Sequence, residues 1–195
     1  MVAAALTLIC VGAALLAPWI SPQDPFNMAG LNLNEAFSPP SWDEKGLAQY
    51  PLGTDNQGRD ILSTIMHGAR ISLGVGLASV LFALVLGVSA GLLAGYFGGR
   101  LDAAIMRVAD VQLSFPAILI ALLIDGVARV ALPAERHDDI AIPVLVLSIG
   151  FAGWVQYART VRGSTMVERE KEYVQAARVI GRRPLAILLA TCCRT

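Results

Sequence analysis

Four apolar stretches set the plan of this chain, and the segments between them differ sharply in polarity. Val2 to Ile20 carries no charged residue and is long enough, as a helix, to cross a hydrocarbon core of about 30 Å. Ile71 to Phe97 is likewise uncharged and spans easily. The uncharged run between Asp110 and Asp125 is short for a crossing, so the third helix is expected from about Leu113 to about Pro133. Ile140 to Tyr157 reads as the fourth, with Trp154 and Tyr157 expected at its far interface, as Trp19 is at the end of the first. A cleaved signal peptide would need a basic flank and a small-x-small site. Leu15-Leu16-Ala17 is not one, so an uncleaved span is expected, and the missing basic flank points to a start upstream of Met1.

Ser21 to Arg70 is polar and punctuated by Pro22, Pro25, Pro39, Pro40 and Pro51, which predicts irregular backbone apart from a few short helices. Within it lies Leu52-Gly53-Thr54-Asp55-Asn56-Gln57-Gly58-Arg59-Asp60, followed by Gly68-Ala69-Arg70-Ile71-Ser72-Leu73. Gly53 and Gly58 permit a tight turn, Thr54 or Asp55 can cap, and Asp60 can open the helix leading into the second span. A calcium loop is the competing reading. It lacks the final glutamate and puts Arg59 where a ligand should sit.

In the second span Ala83, Gly87, Gly91 and Gly95 recur every four positions, a stripe that lets two membrane helices pack backbone to backbone. Gly98 to Asp102 reads as a turn, and Ala103 to Asp110 as a helix with Arg107 and Asp110 three apart. Asp125 and Arg129 form an i,i+4 pair at or near the membrane. They are candidate pathway residues, against the alternative that the helix has already reached the outer interface and both groups are wet.

Charge gives the orientation. Ser21 to Arg70 holds six carboxylates against three cations, whereas the chain after Tyr157 holds eight cations against three carboxylates. The positive-inside rule makes the latter end cytoplasmic, and four spans then put the N-terminus inside and the acidic segment outside.

The cytoplasmic end contains Glu172-Tyr173-Val174-Gln175-Ala176-Ala177-Arg178-Val179-Ile180-Gly181. As a helix it brings Glu172, Ala176 and Gly181 onto one face with Ala177 beside them, nearly bare of side chains. Glu172 suits the helix start, Gly181 its end, and Pro184 forbids resumption. An ordinary solvated helix is the bland alternative.

Composition agrees with a membrane protein. The 195 residues are 55% hydrophobic and 15% charged, with a mean hydropathy of +0.61. Lys plus Arg equals Asp plus Glu at 15 each, which gives no pointer to nucleic acid. Cys10, Cys192 and Cys193 have no metal-like spacing, and His67 and His137 lack soft ligands nearby, so no metal site is expected. No catalytic constellation and no phosphate-cradling loop is present, so a driven process would need its engine in another subunit.

The Glu-x-x-x-Ala-Ala-x-x-x-Gly stretch after a span resembles the signature loop of permease subunits in binding-protein-dependent ABC importers. The Leu52 to Asp60 segment with Gly68 to Leu73 resembles the peptide and nickel type of that family. Gly98 to Asp102, Arg107 with Asp110, Phe115-Pro116 and Gly153-Trp154 extend the likeness from about Asp24 through Gly181. The resemblance implies an all-α membrane protein, a type I importer bundle with four of an expected six transmembrane helices. It also implies a role for Glu172, Tyr173, Ala176, Ala177 and Gly181 in coupling to an ATPase. The implied partners are a second permease subunit, two ATP-binding subunits, an extracytoplasmic solute-binding protein and the lipid bilayer, with no cofactor in this chain. The expected organisation is a first transmembrane helix over 1–20, an extracytoplasmic segment over 21–70, a permease domain over 71–189 with a cytoplasmic coupling loop at about 158–185, and an aberrant tail over 190–195.

That tail departs from the family, which continues past the glycine with a basic residue and His, two apolar residues and Pro, and then two more spans. The codons GCC ACC TGC TGC CGC ACC would encode Ala190 to Thr195, and read one base earlier after a C they give Arg-His-Leu-Leu-Pro-His. The expectation is a frameshifted tail on a truncated permease. Alternatives to a transport subunit are a fragment without transport, and a passive channel or secondary carrier built on Asp125 and Arg129.

Overall fold

The computed structural model describes residues 1–27, 32–131, 133, 137–182 and 186–187, with main chain alone over 137–139. Its helices are α1 (Val2–Ile20), α2 (Ile61–Phe97), α3 (Gly99–Leu113), α4 (Ala117–Ala131), α5 (His137–Arg169) and α6 (Glu172–Val179), with one 3-10 turn at Leu33–Glu35. Among the described residues the only strand-like pairing is a single bridge between Thr54 and Asp60. Pro184 and the tail from Ala190 lie outside the described residues.

Among the described residues three helices are long and apolar enough to cross a membrane, and a fourth crossing results if α3 and α4 count together as one bent span. The burial pattern is that of a protein dissolved in lipid. On α2 the exposed side chains include Leu77, Leu81 and Val85, while the buried polar groups include Ser79 of α2, Gln112 of α3, and Ser148 and Thr165 of α5. Lipid accepts apolar side chains without penalty, so polar and small groups are the ones that gain by facing other helices.

The chain forms two compact units, Met1–Gly74 and Val75–Thr195. In the first, α1 precedes an irregular segment whose order comes from local hydrogen bonds and ends at the start of α2. Asp60 is fully buried there and accepts from the Ser63 N–H at 2.8 Å and the Ser63 hydroxyl at 2.5 Å. It is the N-cap of α2, a role worth about 1 kcal/mol. Gln23 closes the same site, its Oε1 accepting from the Asp60 N–H at 2.9 Å.

In the second unit, the remainder of α2 packs along α5. A Cβ at Gly87 would lie 2.5 Å from the Trp154 carbonyl oxygen, one at Gly91 2.5 Å from that of Ala158, and one at Gly95 2.7 Å from the Thr165 Cβ. Only hydrogen fits at those three positions. The core beside this seam is Ala109, Trp154, Val155 and Ala158, with Leu86, Ala90 and Ile105 packed against it.

Three sequence expectations are corrected here. The third helix does not run from Leu113: α3 ends there, Ser114 to Pro116 break the path, and α4 begins at Ala117 after a bend of 94°. Pro116 supplies the reason, since it disfavours helix at Phe115 and cannot donate an N–H. The fourth helix does not stop near Tyr157 but continues as α5 to Arg169. Loss of apolar character marks where lipid ends, not where hydrogen bonding ends. Trp154 is no interfacial anchor either, being only 5% exposed. Its Nε1 donates to Gln112 Oε1 at 2.6 Å, while Gln112 Nε2 donates to the Phe151 carbonyl at 2.6 Å. A buried indole N–H needs such a partner, and the amide of α3 provides it.

Candidate functional site: the α5–α6 elbow

The turn after Arg169 is short. Lys171 N–H bonds the Glu168 carbonyl at 3.1 Å, and Lys171 then takes an extended conformation as the N-cap of α6, without a side-chain cap. Glu168 holds the elbow from below. Its carboxylate accepts from the Tyr173 hydroxyl at 2.6 Å and from the Lys171 ammonium. Gln175 Nε2 donates to the Glu170 carbonyl at 2.9 Å.

At its other end α6 closes with paired bonds. Arg182 N–H reaches the Ala177 carbonyl at 3.1 Å and Gly181 N–H the Arg178 carbonyl at 3.0 Å. That pairing is a Schellman motif, and it requires the left-handed φ of +79° found at Gly181. Glycine is there because a Cβ would be strained in that conformation.

The faces of α6 are distinct. Val174 is buried and Ala177 half-buried, whereas Glu172, Ala176, Val179 and Ile180 are exposed. Ala177 therefore turns away from the exposed surface that carries Glu172 and Ala176. That surface is also less bare than the spacing implies, because Val179 and Ile180 stand on it at 88% and 80% exposure.

Two contacts tie the elbow to the end of α2. Arg169 Nη1 donates to the Gly95 carbonyl at 3.0 Å, and the Arg178 guanidinium carbon lies 4.9 Å from the centre of the Tyr96 ring. Cations gather naturally at the negative end of a helix dipole. Gly98, with φ +64°, leaves room for this: a Cβ there would sit 2.9 Å from Arg169 Nη1.

Two ion pairs brace α3 against α5. Arg162 binds both oxygens of Asp102, through Nη2 at 2.6 Å and also through Nε, and Arg159 Nη2 meets Asp110 Oδ1 at 2.5 Å. Asp110 thus pairs across helices rather than with Arg107 in its own. Sequence reading missed these partners. Asp102 and Arg162 stand sixty residues apart, and the one local signal was that cations and carboxylates crowd the ends of the apolar runs.

The other residues singled out in the sequence fall elsewhere. Leu52 to Asp60 folds into a tight loop in the first unit. Asp55 Oδ1 accepts from the main-chain N–H groups of Gln57 at 2.7 Å and Arg59 at 2.9 Å, and Gly53 and Gly58 have φ of +83° and +75°. Thr54 Oγ1 donates to the Glu35 carbonyl at 2.5 Å and accepts from the Ser38 N–H at 2.9 Å. Tyr50 is buried beside them, donating to Glu35 Oε2 at 2.6 Å. That hydrogen bond, with burial and the Glu35 charge, pushes its phenol up to about 12. On α4, Arg129 Nε bonds Asp125 Oδ2 at 2.8 Å, and both line a groove of about 360 Å³ with Ile118, Leu122, Val144 and Ser148. Ala83 lies beside Gly153, whose Cβ would be 3.6 Å away. No cluster of metal-ligating side chains occurs among the described residues.

Residues 83–191 match the family described as binding-protein-dependent transport system inner membrane component. Over 181 residues, 93% of this chain and 55% of the relative, it is 39% identical to the di/tripeptide transport system permease protein DppC of Pseudomonas aeruginosa. It is 37% identical over 182 residues, 93% of this chain and 54% of the relative, to the glutathione transport system permease protein GsiD of Pectobacterium atrosepticum. It is 36% identical over 168 residues, 86% of this chain and 54% of the relative, to the nickel transport system permease protein NikC of Escherichia coli. The chain spans about half the length of these curated relatives.

Proposed function

The chain belongs to the family of inner membrane components of binding-protein-dependent transport systems, and from that premise we propose that it is a membrane-spanning subunit of an ATP-driven importer. Its cargo is a short peptide or a related small solute such as a nickel complex, a choice supported by similar permeases named for di/tripeptide and nickel transport. It performs no chemistry. Two ATP-binding subunits hydrolyse ATP, a second permease completes the path, and an extracytoplasmic solute-binding protein delivers the solute. The chain crosses the cytoplasmic membrane several times with the α5–α6 elbow on the cytoplasmic side, the side on which its eight cations belong.

The observation that carries this reading is α6 itself, a short helix held by Glu168 at one end and closed by Gly181 at the other, with Glu172, Ala176, Val179 and Ile180 turned outward. Such a surface can enter a groove on a partner. Closure of the ATPase pair then displaces α6, and α5 carries the displacement into the membrane as a continuous helix. The test is a cysteine at Ala176, cross-linked in the assembled transporter. Capture of an ATP-binding subunit is expected, and labelling of that cysteine from outside the cell would sink the proposal.

Asp125 and Arg129 belong to the path on this reading, facing a groove between α4 and α5. An Asp125→Leu substitution then lowers uptake, and unchanged uptake removes the pair from the path.

A further inference from the structure

We propose that Arg169 and Arg178 are positioning residues that make the coupling helix and the cytoplasmic end of α2 one mechanical piece. The inference rests on the coupling role proposed for α6 and adds a second route by which its displacement enters the membrane.

Along the chain, α6 follows α5, and connectivity does not join a push on α6 to α2. Two side chains change that. Arg169, the last residue of α5, donates Nη1 to the Gly95 carbonyl at 3.0 Å. Gly95 lies in the last turn of α2, where carbonyls have no partner further along the helix. Arg178, in the last turn of α6, sets its guanidinium 4.9 Å from the centre of the Tyr96 ring. That ring is fixed in turn by an edge contact with Phe97 at 5.2 Å. Consecutive residues of α2 are thus gripped from both sides of the elbow. One grip is a hydrogen bond from a cation to a helix-terminal carbonyl, the other a cation over an aromatic face, and both are directional.

The surroundings are shaped for this. Gly98 carries no side chain where Arg169 passes, and Arg169 is kept in place from the solvent side by Glu170 Oε1, 3.0 Å from its Nε. Above the grip, Gly87, Gly91 and Gly95 seat α2 against α5 so closely that the two cannot slide without clashes. Motion of α6 therefore reaches α2 and α5 together, and these helices move as a pair.

The test uses the assembled transporter and reads solute uptake and ATP hydrolysis separately, as a ratio. Arg178→Gln and Tyr96→Leu are expected to leave the ATP-binding subunits attached while lowering uptake per ATP about two- to fivefold, the size of an exposed cation–π contact. Tyr96→Phe and Arg178→Lys, which keep ring and cation, should restore the ratio. Arg178 is exposed, so its substitution does not threaten folding. An unchanged ratio in both Arg178→Gln and Tyr96→Leu, with the Ala176 cysteine still cross-linking to the ATP-binding subunit, overturns the clamp and leaves the coupling role standing. Failure of that cross-link in the unaltered chain overturns the coupling role and the clamp with it.

Discussion

Arg162 of α5 holds both carboxylate oxygens of Asp102 in the first turn of α3. The fork-to-fork geometry is specific to guanidinium, and the pair is mostly shielded, at 31% and 15% exposure of the two side chains. Arg162→Lys is therefore expected to behave as a loss, lowering stability in detergent by about 1–2 kcal/mol, with Asp102→Asn similar. Thermal unfolding of the single and double variants measures it. Coupling near zero in that cycle would show that the pair contributes nothing.

The α2–α5 seam predicts a graded response to size. Gly91→Ala puts a methyl group 2.5 Å from the Ala158 carbonyl oxygen and should cost about 1–3 kcal/mol, with Gly91→Leu preventing accumulation of folded protein. Gly126 has nothing within 4 Å of a built Cβ. Gly126→Ala in α4 should be neutral or stabilising by up to about 1 kcal/mol. Equal effects at the two positions would contradict the close approach of α2 and α5.

At the end of α6, Gly181→Ala should cost about 1–2 kcal/mol because φ is +79°, while Gly181→Asn should cost less. Gly181→Pro removes the N–H that bonds the Arg178 carbonyl and cannot reach that φ at all. Uptake by the assembled transporter should fall in the order Gly, Asn, Ala, Pro. A Glu172→Lys variant should uncouple hydrolysis from uptake, since it puts a cation at the positive end of α6 and on its docking surface.

Tyr50 gives a prediction in pH. Its phenol ordinarily ionises near 10.0 and is pushed up to about 12 by donating to Glu35. Because the folded value is the higher one, the pair stabilises the loop fully below about pH 10 and loses that contribution as pH climbs through about 12. Spectrophotometric titration against Tyr50→Phe reads the group out. Glu35→Gln should return it toward 10, and an unshifted Tyr50 in the unaltered chain would remove the hydrogen bond.

Much of the fold is legible locally. Charge-free length marks the helices able to cross lipid, because a bilayer core imposes one minimum length on every crossing. Asp60 as the cap of α2, and Gly53, Gly58 and Gly181 at positive φ, follow from what each residue type can do with its own backbone. Those backbone roles needed no knowledge of a partner.

What the tertiary structure alone decided is everything that depends on a second element. Trp154 reads as an interfacial anchor until Gln112 is found beneath it, and Ala177 reads as part of the docking surface until α6 is laid on α5. The grips of Arg162 on Asp102, Arg169 on Gly95 and Arg178 on Tyr96 join residues sixty or more positions apart. A linear pattern records how apolar each position is and which turns it can make. It does not record which neighbour a guanidinium finds across a helix interface, because that choice is set by packing distances that exist only once the helices have come together.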